Sequence, residues 1–459
     1  MTCAWVATTG THCWEASRLI NLAELGTKAA RYSPRAPALI DAKRGKARTF
    51  AELSGRVQCL AVSLRNMFGP GQQVAVLSRN CFEMMELYLA CAASGSLLFP
   101  MNWGWSAAQL RSALLEANPV AIFYDKTYQS IIDQLQSVVD ARTWVSWEPG
   151  CESGYEELLS RVAGAGVDPR AGPAPGSGTL PEAGSLLHHP FLAICTAGRS
   201  GIPKSAVHSQ FSYAACILNH LAAARVASTD VYLLLGQLFH PVGYMPLAYL
   251  AMGRPVVVTN FDADEVAAVV RQEGVSGFFA MDTMLPQLLR SVCGSGMRLP
   301  SLRQVEYGGA PTDVDVVREA AEVFGGDLLR AWGTSEFGPG TYLQPQDHRA
   351  ALAGMRPDIL RSCGRSALLS TVEVLDEDGC PVPTDSVTVG EICHRGPGNM
   401  VGYWNDRKLS ALKLSGGWLH SGEFGTWDAD GYVYLVELTN SRMSRKLESA
   451  ARPTNQHVC

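Results

Sequence analysis

Residues 74–101, VAVLSRNCFEMMELYLACAASGSLLFPM, contain two apolar runs on either side of a segment with helical spacing. The run at 74–78 predicts a buried strand, and the segment that follows predicts a helix ending at Gly95. The run SLLFPM at 96–101 predicts the next strand. A strand, a helix and a second strand in this order are typical of a parallel sheet, so this stretch indicates an α/β fold.

The same alternation continues on both sides of this stretch. A helix predicted from the Ser106 cap to Pro119 precedes the apolar strand AIFYD at 121–125. Residues 161–186 are rich in Gly, Pro and Ala and predict a linker or a long surface loop, after which the alternation resumes. From about residue 356, short alternating runs and Asp-Gly turns predict antiparallel strands.

The predicted fold class is therefore α/β, with two doubly wound, mainly parallel α/β subdomains and a small antiparallel β subdomain. A chain of 459 residues is too long for one ordinary core, which agrees with several subdomains. The predicted segments are a first α/β subdomain ending in the linker (1–186), a second α/β subdomain (187–355), a β-rich subdomain (356–436) and a short polar tail (437–459).

Composition and charge exclude several classes of protein. Hydrophobic residues make up 47% and charged residues 18% of the chain, which is a normal globular balance. The net charge of −5 gives no electrostatic case for binding nucleic acid. The 13 cysteines include no C-x2-C or C-x4-C pair, so neither a zinc site nor a disulfide framework is indicated. A reducing cytoplasm fits this cysteine usage best.

Two segments bear on export and membranes. The N-terminus has no basic region followed by an apolar block, so we expect no secretory signal. Residues 231–253 carry no formal charge and are long enough to span a bilayer, but Gln237, His240, two prolines and two interior glycines interrupt them. We favour a buried strand, loop and helix over a membrane span because unpaired polar groups are costly in lipid.

Residues 195–209, CTAGRSGIPKSAVHS, predict a strand that enters a glycine-rich loop. The P-loop pattern G-x-x-x-x-G-K-(S/T) fails because Pro203 stands at the second glycine and has no N–H to offer a phosphate. A strand, loop and helix carrying Gly198, Gly201 and Lys204 can still surround phosphate oxygens with backbone N–H groups. Taken alone, the loop is also compatible with an ordinary turn.

This loop resembles the phosphate loop of the adenylate-forming superfamily, which includes acyl-CoA synthetases, peptide-synthetase adenylation domains and beetle luciferases. The family pattern (S/T)-(S/T)-G-(S/T)-T-G-x-P-K-G is matched at Thr196, Gly198, Ser200, Gly201, Pro203 and Lys204. Other family motifs are resembled, in the same order, by LFHPVG at 238–243, YGGAPT at 307–312, AWGTSEFG at 331–338, GEICHRGPGNMVGYWND at 390–406 and GWLHSGEFGTWDADGYVYLV at 417–436. The resemblance spans about residues 20–436 and implies the fold of an acyl-CoA synthetase N-terminal domain.

The resemblance implies that the loop holds the β- and γ-phosphates of ATP. A lysine and hydroxyl donors can offset that charge. The implied phosphate residues are Thr196, Gly198, Ser200, Gly201 and Lys204. Glu336 is implied as the ligand of Mg²⁺, a hard cation that prefers oxygen. The alternatives are a solvated lysine and a solvated glutamate.

The resemblance also implies an adenine site. Glycines there would let a flat base approach the backbone, and Trp332, which stands where the family usually has Tyr, can stack on a base. The residues implied in this site and in the adjoining motif are Gly308, Gly309, Ala310, Pro311, Trp332, Gly333, Thr334 and Ser335. A core aromatic is the alternative for Trp332. His240 is implied at the border of the acyl pocket, and a core histidine is its alternative.

Besides Trp332, and Ala197, Arg199 and Ser205 in the phosphate loop, the chain departs from the family in its late motifs and in its C-terminal part. Ser421-Gly422-Glu423 stands where the family has Thr-Gly-Asp, so Glu423 is expected to bind the ribose from one methylene further out. Leu438 falls at about the position of a ribose-binding Arg and cannot donate a hydrogen bond. The family continues into a mobile C-terminal domain of roughly 100 residues that carries a lysine used in adenylation. Here a short tail, expected to be disordered, stands in its place.

Two functions stay open from the sequence. The first is an AMP-forming acid–thiol ligase that uses ATP and Mg²⁺ to convert a fatty or aryl acid into acyl-AMP. CoA or a carrier-protein thiol would then accept the acyl group, and a separate C-terminal domain or a carrier protein is a possible partner. The second is a truncated homologue that binds a nucleotide, an acyl ligand or a partner with little or no catalysis.

Overall fold

The computed structural model describes residues 22–148, 154–163, 188–196 and 203–436. Within these residues the strands form sheets of nine, seven and four strands. The two large sheets are mainly parallel and the small sheet is antiparallel, so the predicted fold class is confirmed. The predicted linker lies outside the described residues from residue 164 on, and so does the predicted tail at 437–459.

The elements are numbered here in chain order. The strands are β1 (Pro37–Asp41), β2 (Lys46–Thr49), β3 (Gln73–Leu77), β4 (Leu97–Pro100), β5 (Ala121–Asp125), β6 (Thr143–Trp147), β7 (Pro190–Thr196), β8 (Lys204–Ser209), β9 (Tyr232–Leu234), β10 (Val256–Val258), β11 (Gly277–Met281), β12 (Gln304–Gly308), β13 (Asp327–Thr334), β14 (Gly338–Leu343), β15 (Arg365–Ser366), β16 (Thr371–Leu375), β17 (Gly390–Arg395), β18 (Gly402–Tyr403), β19 (Leu419–Trp427) and β20 (Val433–Val436). The α-helices are α1 (Leu22–Thr27), α2 (Phe50–Phe68), α3 (Phe82–Ser94), α4 (Ala107–Ala117), α5 (Gln129–Gln136), α6 (Gly154–Ala163), α7 (Gln210–Ala224), α8 (Tyr244–Ala251), α9 (Ala263–Glu273), α10 (Leu285–Ser295), α11 (Val314–Phe324), α12 (Pro345–Leu352) and α13 (Arg407–Lys413).

The stretch at 74–101 lies in the middle of the seven-stranded sheet, whose order is β18-β8-β7-β4-β3-β5-β6. Strand β3 pairs in parallel with β4 and with β5. Its residues after Gln73 are all buried, which explains why the strand is a continuous apolar run. Helix α3 ends where Gly95 takes the left-handed conformation (φ 76°), as the sequence predicts.

The nine-stranded sheet has the order β15-β14-β13-β12-β11-β9-β10-β1-β2. Strands β1 and β2 precede residue 186 but lie at one edge of this sheet, where β1 pairs with β10. Strands β7 and β8 follow residue 186 but extend the seven-stranded sheet through β4. The predicted subdomain boundaries stay predictions, and the strand order shows that neither large sheet is built from one continuous segment.

The four-stranded antiparallel sheet has the order β16-β17-β19-β20. Glu391 on β17 pairs with Phe424 on β19, and Cys393 pairs with His420. Strand β17 therefore advances by two residues where β19 advances by four, so residues 421–423 bulge out of the ladder. This bulge carries the predicted ribose residue Glu423.

Residues 231–253 fold inside the protein as the predicted strand, loop and helix. They form β9, a single turn of 3-10 helix at Pro241–Gly243, and α8. The rings of Tyr232 and Tyr249 stack with centroids 4.4 Å apart, and both side chains are buried. In the part of the chain that the structure describes, no helix combines the length and the apolar character needed to cross a membrane.

Candidate functional site

The predicted phosphate loop connects two antiparallel strands, β7 and β8. Thr196 pairs with Lys204 at the base of the loop, and the Thr196 hydroxyl donates to the Lys204 carbonyl over 3.2 Å. The expectation that the loop leads directly into a helix is wrong, because Lys204 begins β8 and α7 follows only after that strand. Three other predicted loop residues lie outside the described residues: Gly198, Ser200 and Gly201.

The Lys204 side chain lies against an acidic partner from a distant part of the chain. Its Nζ is 2.9 Å from Oδ2 of Asp406, and the two side chains are 30% and 28% exposed. Asp406 also caps α13 by accepting from the Leu409 N–H over 2.9 Å. Burial alone would raise the pKa of Asp406, but the hydrogen bonds from Leu409 and Lys204 hold it below its ordinary value.

Glu336 follows β13 and is fixed by two contacts. The Tyr403 hydroxyl donates to Glu336 Oε1 over 2.7 Å. The Glu336 backbone N–H donates to the Thr334 hydroxyl over 3.2 Å. Burial and the neighbouring Glu336 carboxylate raise the pKa of Tyr403, so this hydroxyl stays protonated and acts as a donor.

Lys204 and Glu336 are joined through one short segment of chain. Strand β18 pairs with β8, with Tyr403 opposite Ala206, and Asp406 follows three residues later. The segment 402–406 therefore supplies a partner for the predicted phosphate lysine and another for the predicted metal ligand. No sequence pattern points to a role for Tyr403 or Asp406, although both lie in the motif at 390–406.

The backbone around the predicted adenine site favours glycine at both Gly308 and Gly309. A side chain at Gly308 would place its Cβ 2.1 Å from the Ala331 carbonyl oxygen on the neighbouring strand, so only glycine fits there. Gly309 has φ +106°, a conformation that favours glycine, and it is exposed. Ala310 and Pro311 follow in the turn before α11, where Pro311 is exposed. The predicted approach of a base to this turn stays a prediction.

Trp332 and Glu423, both departures from the family pattern, contact each other. The indole Nε1–H of Trp332 donates to Glu423 Oε2 over 2.9 Å. The Trp332 side chain is only 6% exposed and packs in the apolar cluster between β13 and the small sheet, with its ring 5.6 Å from that of Phe337. In the structure the Trp332 side chain packs in this cluster and donates one hydrogen bond. Stacking of its ring on a base stays a prediction.

The rest of the motif after Trp332 turns sharply between β13 and β14. Gly333 is exposed, while Thr334 and Ser335 are partly buried. His208 on β8 donates from Nε2 to the Ser335 carbonyl over 2.7 Å, and burial lowers the pKa of this histidine. Strand β8 is thereby bonded to the turn that carries Glu336, as well as to β18.

His240 lies apart from these contacts. It precedes the 3-10 turn at Pro241–Gly243, and its ring is 4.4 Å from that of Phe239. Burial lowers the pKa of His240, so its ring is neutral near pH 7. Among the described contacts, none joins His240 to Lys204 or Glu336.

Two curated relatives of this chain are named as enzymes that join an acid to CoA. A family described as AMP-binding enzyme matches residues 26–404. An indoleacetate–CoA ligase of Aromatoleum aromaticum is 29% identical over 395 residues, which are 84% of this chain and 72% of that protein. A feruloyl-CoA synthase of an Amycolatopsis species is 29% identical over 412 residues, 89% of this chain and 76% of that protein.

The fold is similar to that of a solved structure. The N-terminal domain of FACL13 from Mycobacterium tuberculosis superposes with a TM-score of 0.77 at 21% sequence identity. The match covers 91% of this chain and 100% of that domain. At this identity the likeness concerns the fold alone.

Proposed function

The chain belongs to the AMP-binding enzyme family, and from that premise we propose that it activates a carboxylic acid with ATP and transfers the acyl group to a thiol. The observation that carries the proposal is the pairing of Lys204 with Asp406 and of Glu336 with Tyr403 through one segment, 402–406. A cation and a carboxylate held by one turn suit a triphosphate and its metal ion.

In the proposed first step, a carboxylate oxygen of the acid attacks the α-phosphorus of ATP. The bond from that phosphorus to the β-phosphate bridging oxygen breaks, which gives acyl-AMP and pyrophosphate. Lys204 offsets charge that develops on the leaving phosphates, and it must exchange its contact with Asp406 for a phosphate oxygen. In the second step a thiol of CoA or of a carrier protein attacks the acyl carbon and displaces AMP.

Glu336 fits the role of a magnesium ligand, because its carboxylate is partly exposed and oriented by the Tyr403 hydroxyl. When bound, Mg²⁺ would neutralise phosphate charge. The Tyr403 hydroxyl holds the Glu336 carboxylate in one orientation while that ion binds. We assign binding of the nucleotide's ribose to Glu423, whose Oε2 accepts a hydrogen bond from Trp332.

The acid is proposed to be a fatty or aryl acid. The relatives that act on indoleacetate and on ferulate, as their names state, favour the aryl class. The buried residues at 232–239 and the neutral ring of His240 give this region no charge with which to hold an ammonium group. We assign His240 to the border of this pocket.

The proposal is tested by pyrophosphate release with a panel of fatty and aryl acids in the presence of Mg·ATP. We expect release that depends on the acid and is lost in Glu336→Gln. Glu322→Gln, which removes an exposed carboxylate on α11, is the matched control. Nucleotide binding by calorimetry without any acid-dependent pyrophosphate would contradict catalysis and support a binding protein.

A further inference from the structure

Three side chains with different donor atoms converge on the small sheet. The donor atoms of Glu391, Cys393 and His420 all lie within 4.8 Å of one another. Glu391 and Cys393 are two residues apart on β17, and His420 lies opposite Cys393 on β19. The strand ladder therefore holds all three side chains on one face.

The distances are close to those of a tetrahedral zinc site. Cys393 Sγ is 3.5 Å from His420 Nδ1, and Glu391 Oε2 is 2.9 Å from the same nitrogen. Zinc bonds of 2.3 Å to sulfur and 2.0–2.1 Å to nitrogen or oxygen separate such ligands by about 3.5 and about 3.3 Å. The Glu391 oxygen and the Cys393 sulfur lie within 4.8 Å of each other, so a shift of roughly 1 Å would bring them to the separation that zinc requires.

Burial and charge suit the same ion. Cys393 is fully buried, while the side chains of Glu391 and His420 are 13% and 25% exposed, so solvent reaches the cluster from one side. A thiolate and a carboxylate together balance the charge of a divalent ion, and water can supply a fourth ligand. The nearest described cation, Lys413, donates to the His420 backbone carbonyl over 2.8 Å.

We propose that Glu391, Cys393 and His420 bind Zn²⁺ as a site separate from the nucleotide site. Sulfur and imidazole donors select zinc over the hard ion Mg²⁺, which prefers oxygen alone. Glu391 also accepts the Gly422 N–H over 2.8 Å with its other oxygen, so the ion would lie beneath the bulge at 421–423.

Binding would be accompanied by release of a proton. Burial, and then the Glu391 carboxylate, raise the pKa of the Cys393 thiol, so it is protonated near pH 7 when no metal is bound. Burial raises the pKa of the Glu391 carboxyl, but the hydrogen bond and charge of His420 leave this pKa lowered overall. This ligand is therefore already ionised. Zinc must therefore displace the thiol proton, which passes to the buffer, and the proton that His420 Nδ1 donates to Glu391 must also leave that nitrogen before it binds the ion.

The test uses the whole chain after treatment with a chelator. We expect one Zn²⁺ per chain by calorimetry and elemental analysis, with proton release that depends on the ionisation enthalpy of the buffer. Co²⁺ used as a substitute should give a sulfur-to-cobalt charge-transfer band, and excess Mg²⁺ should not displace either ion. Zinc should also raise the midpoint of thermal unfolding.

Cys393→Ser should abolish the cobalt band and weaken zinc binding at least about 100-fold, since loss of an outer partner alone costs about 10- to 100-fold. Cys363→Ser removes another fully buried thiol and should leave both signals unchanged. His420→Gln, checked for folding by circular dichroism, should also weaken binding. Wild-type protein without stoichiometric zinc, or zinc binding that survives Cys393→Ser, would overturn the proposal in favour of an ion pair beside an inert thiol.

Discussion

The phosphate side and the ribose side of the candidate site differ in how they relate to the family pattern. On the phosphate side Lys204 and Glu336 match the pattern, and each has a partner from the segment 402–406. On the ribose side Trp332 and Glu423 both depart from it, yet they bond to each other. The difference teaches that departures have to be judged in pairs, because here the longer carboxylate of Glu423 accepts from the indole N–H of Trp332.

The largest expected effect is on the phosphate side. Lys204→Ala should lower acid-dependent pyrophosphate release about 100- to 1,000-fold, because one preorganised donor to developing charge is lost. The matched control is Lys46→Ala, which removes an exposed lysine on β2. Equal activity in the two variants would show that matching the pattern does not make Lys204 a phosphate ligand.

On the ribose side, Glu423→Asp should raise the KM for ATP about tenfold. The shorter carboxylate leaves the Trp332 N–H without its acceptor, and a hydrogen bond to a charged group contributes about 1.5–3 kcal/mol. The double variant Trp332→Tyr/Glu423→Asp, which carries the family's residues, should cost less than the sum of the single changes by about 1 kcal/mol.

A second cycle controls for the ribose-side coupling. Trp427, also on β19, donates its indole N–H to the Val382 carbonyl over 2.9 Å. Trp427→Tyr combined with Glu423→Asp should therefore be additive within about 0.5 kcal/mol. Additivity in the Trp332 cycle as well would mean that the two departures are independent.

Tyr403→Phe should have a smaller effect on the phosphate side. It removes the hydroxyl that orients Glu336 but keeps the ring, so we expect a loss of about 1 kcal/mol, or about fivefold. The loss should appear as a higher Mg²⁺ concentration at half-maximal rate. The unfolding midpoint of Tyr403→Phe should change no more than that of the control variant Tyr434→Phe. A change in thermal stability alone would make Tyr403 a packing residue.

The smallest expected effect is the pH dependence of the Lys204–Asp406 pair. Because the folded-state pKa of Asp406 is lowered, the pair stabilises the fold above its ordinary value of 3.8 and that stabilisation is lost as pH falls further. Below about pH 4 the unfolding free energy of the wild-type protein should fall as Asp406 is protonated. In Asp406→Asn this fall should be smaller by about 1 kcal/mol or less, since the pair faces solvent. Urea titrations at several pH values measure this difference, and parallel curves for both proteins would refute it.

The parts of the fold that the sequence predicts well are those with local causes. The apolar run of β3, the stop at Gly95 and the strand and helix within 231–253 depend on neighbouring residues, and the structure confirms them. The position of β1 beside β10 has no local cause, because β10 lies far along the chain.

The same distinction applies to the site. The loop pattern predicts Lys204, but the pairing of Lys204 with Asp406, 202 residues later in the chain, arises when β18 joins β8. Trp332 and Glu423 are 91 residues apart, so no local pattern in the sequence links them. The convergence of Cys393 and His420 depends on strand register, which spacing rules for cysteine pairs do not include.

The position of the N-terminal hairpin in the nine-stranded sheet has a consequence for biosynthesis. Leu39 on β1 pairs with Val256, and Ala38 and Leu39 are fully buried in the finished protein. As the chain leaves the ribosome from its N-terminus, β1 has no neighbour on that side until β10 has emerged. An apolar strand that waits with an open edge is prone to mispairing. The hairpin is thus synthesised well before the strand that encloses it.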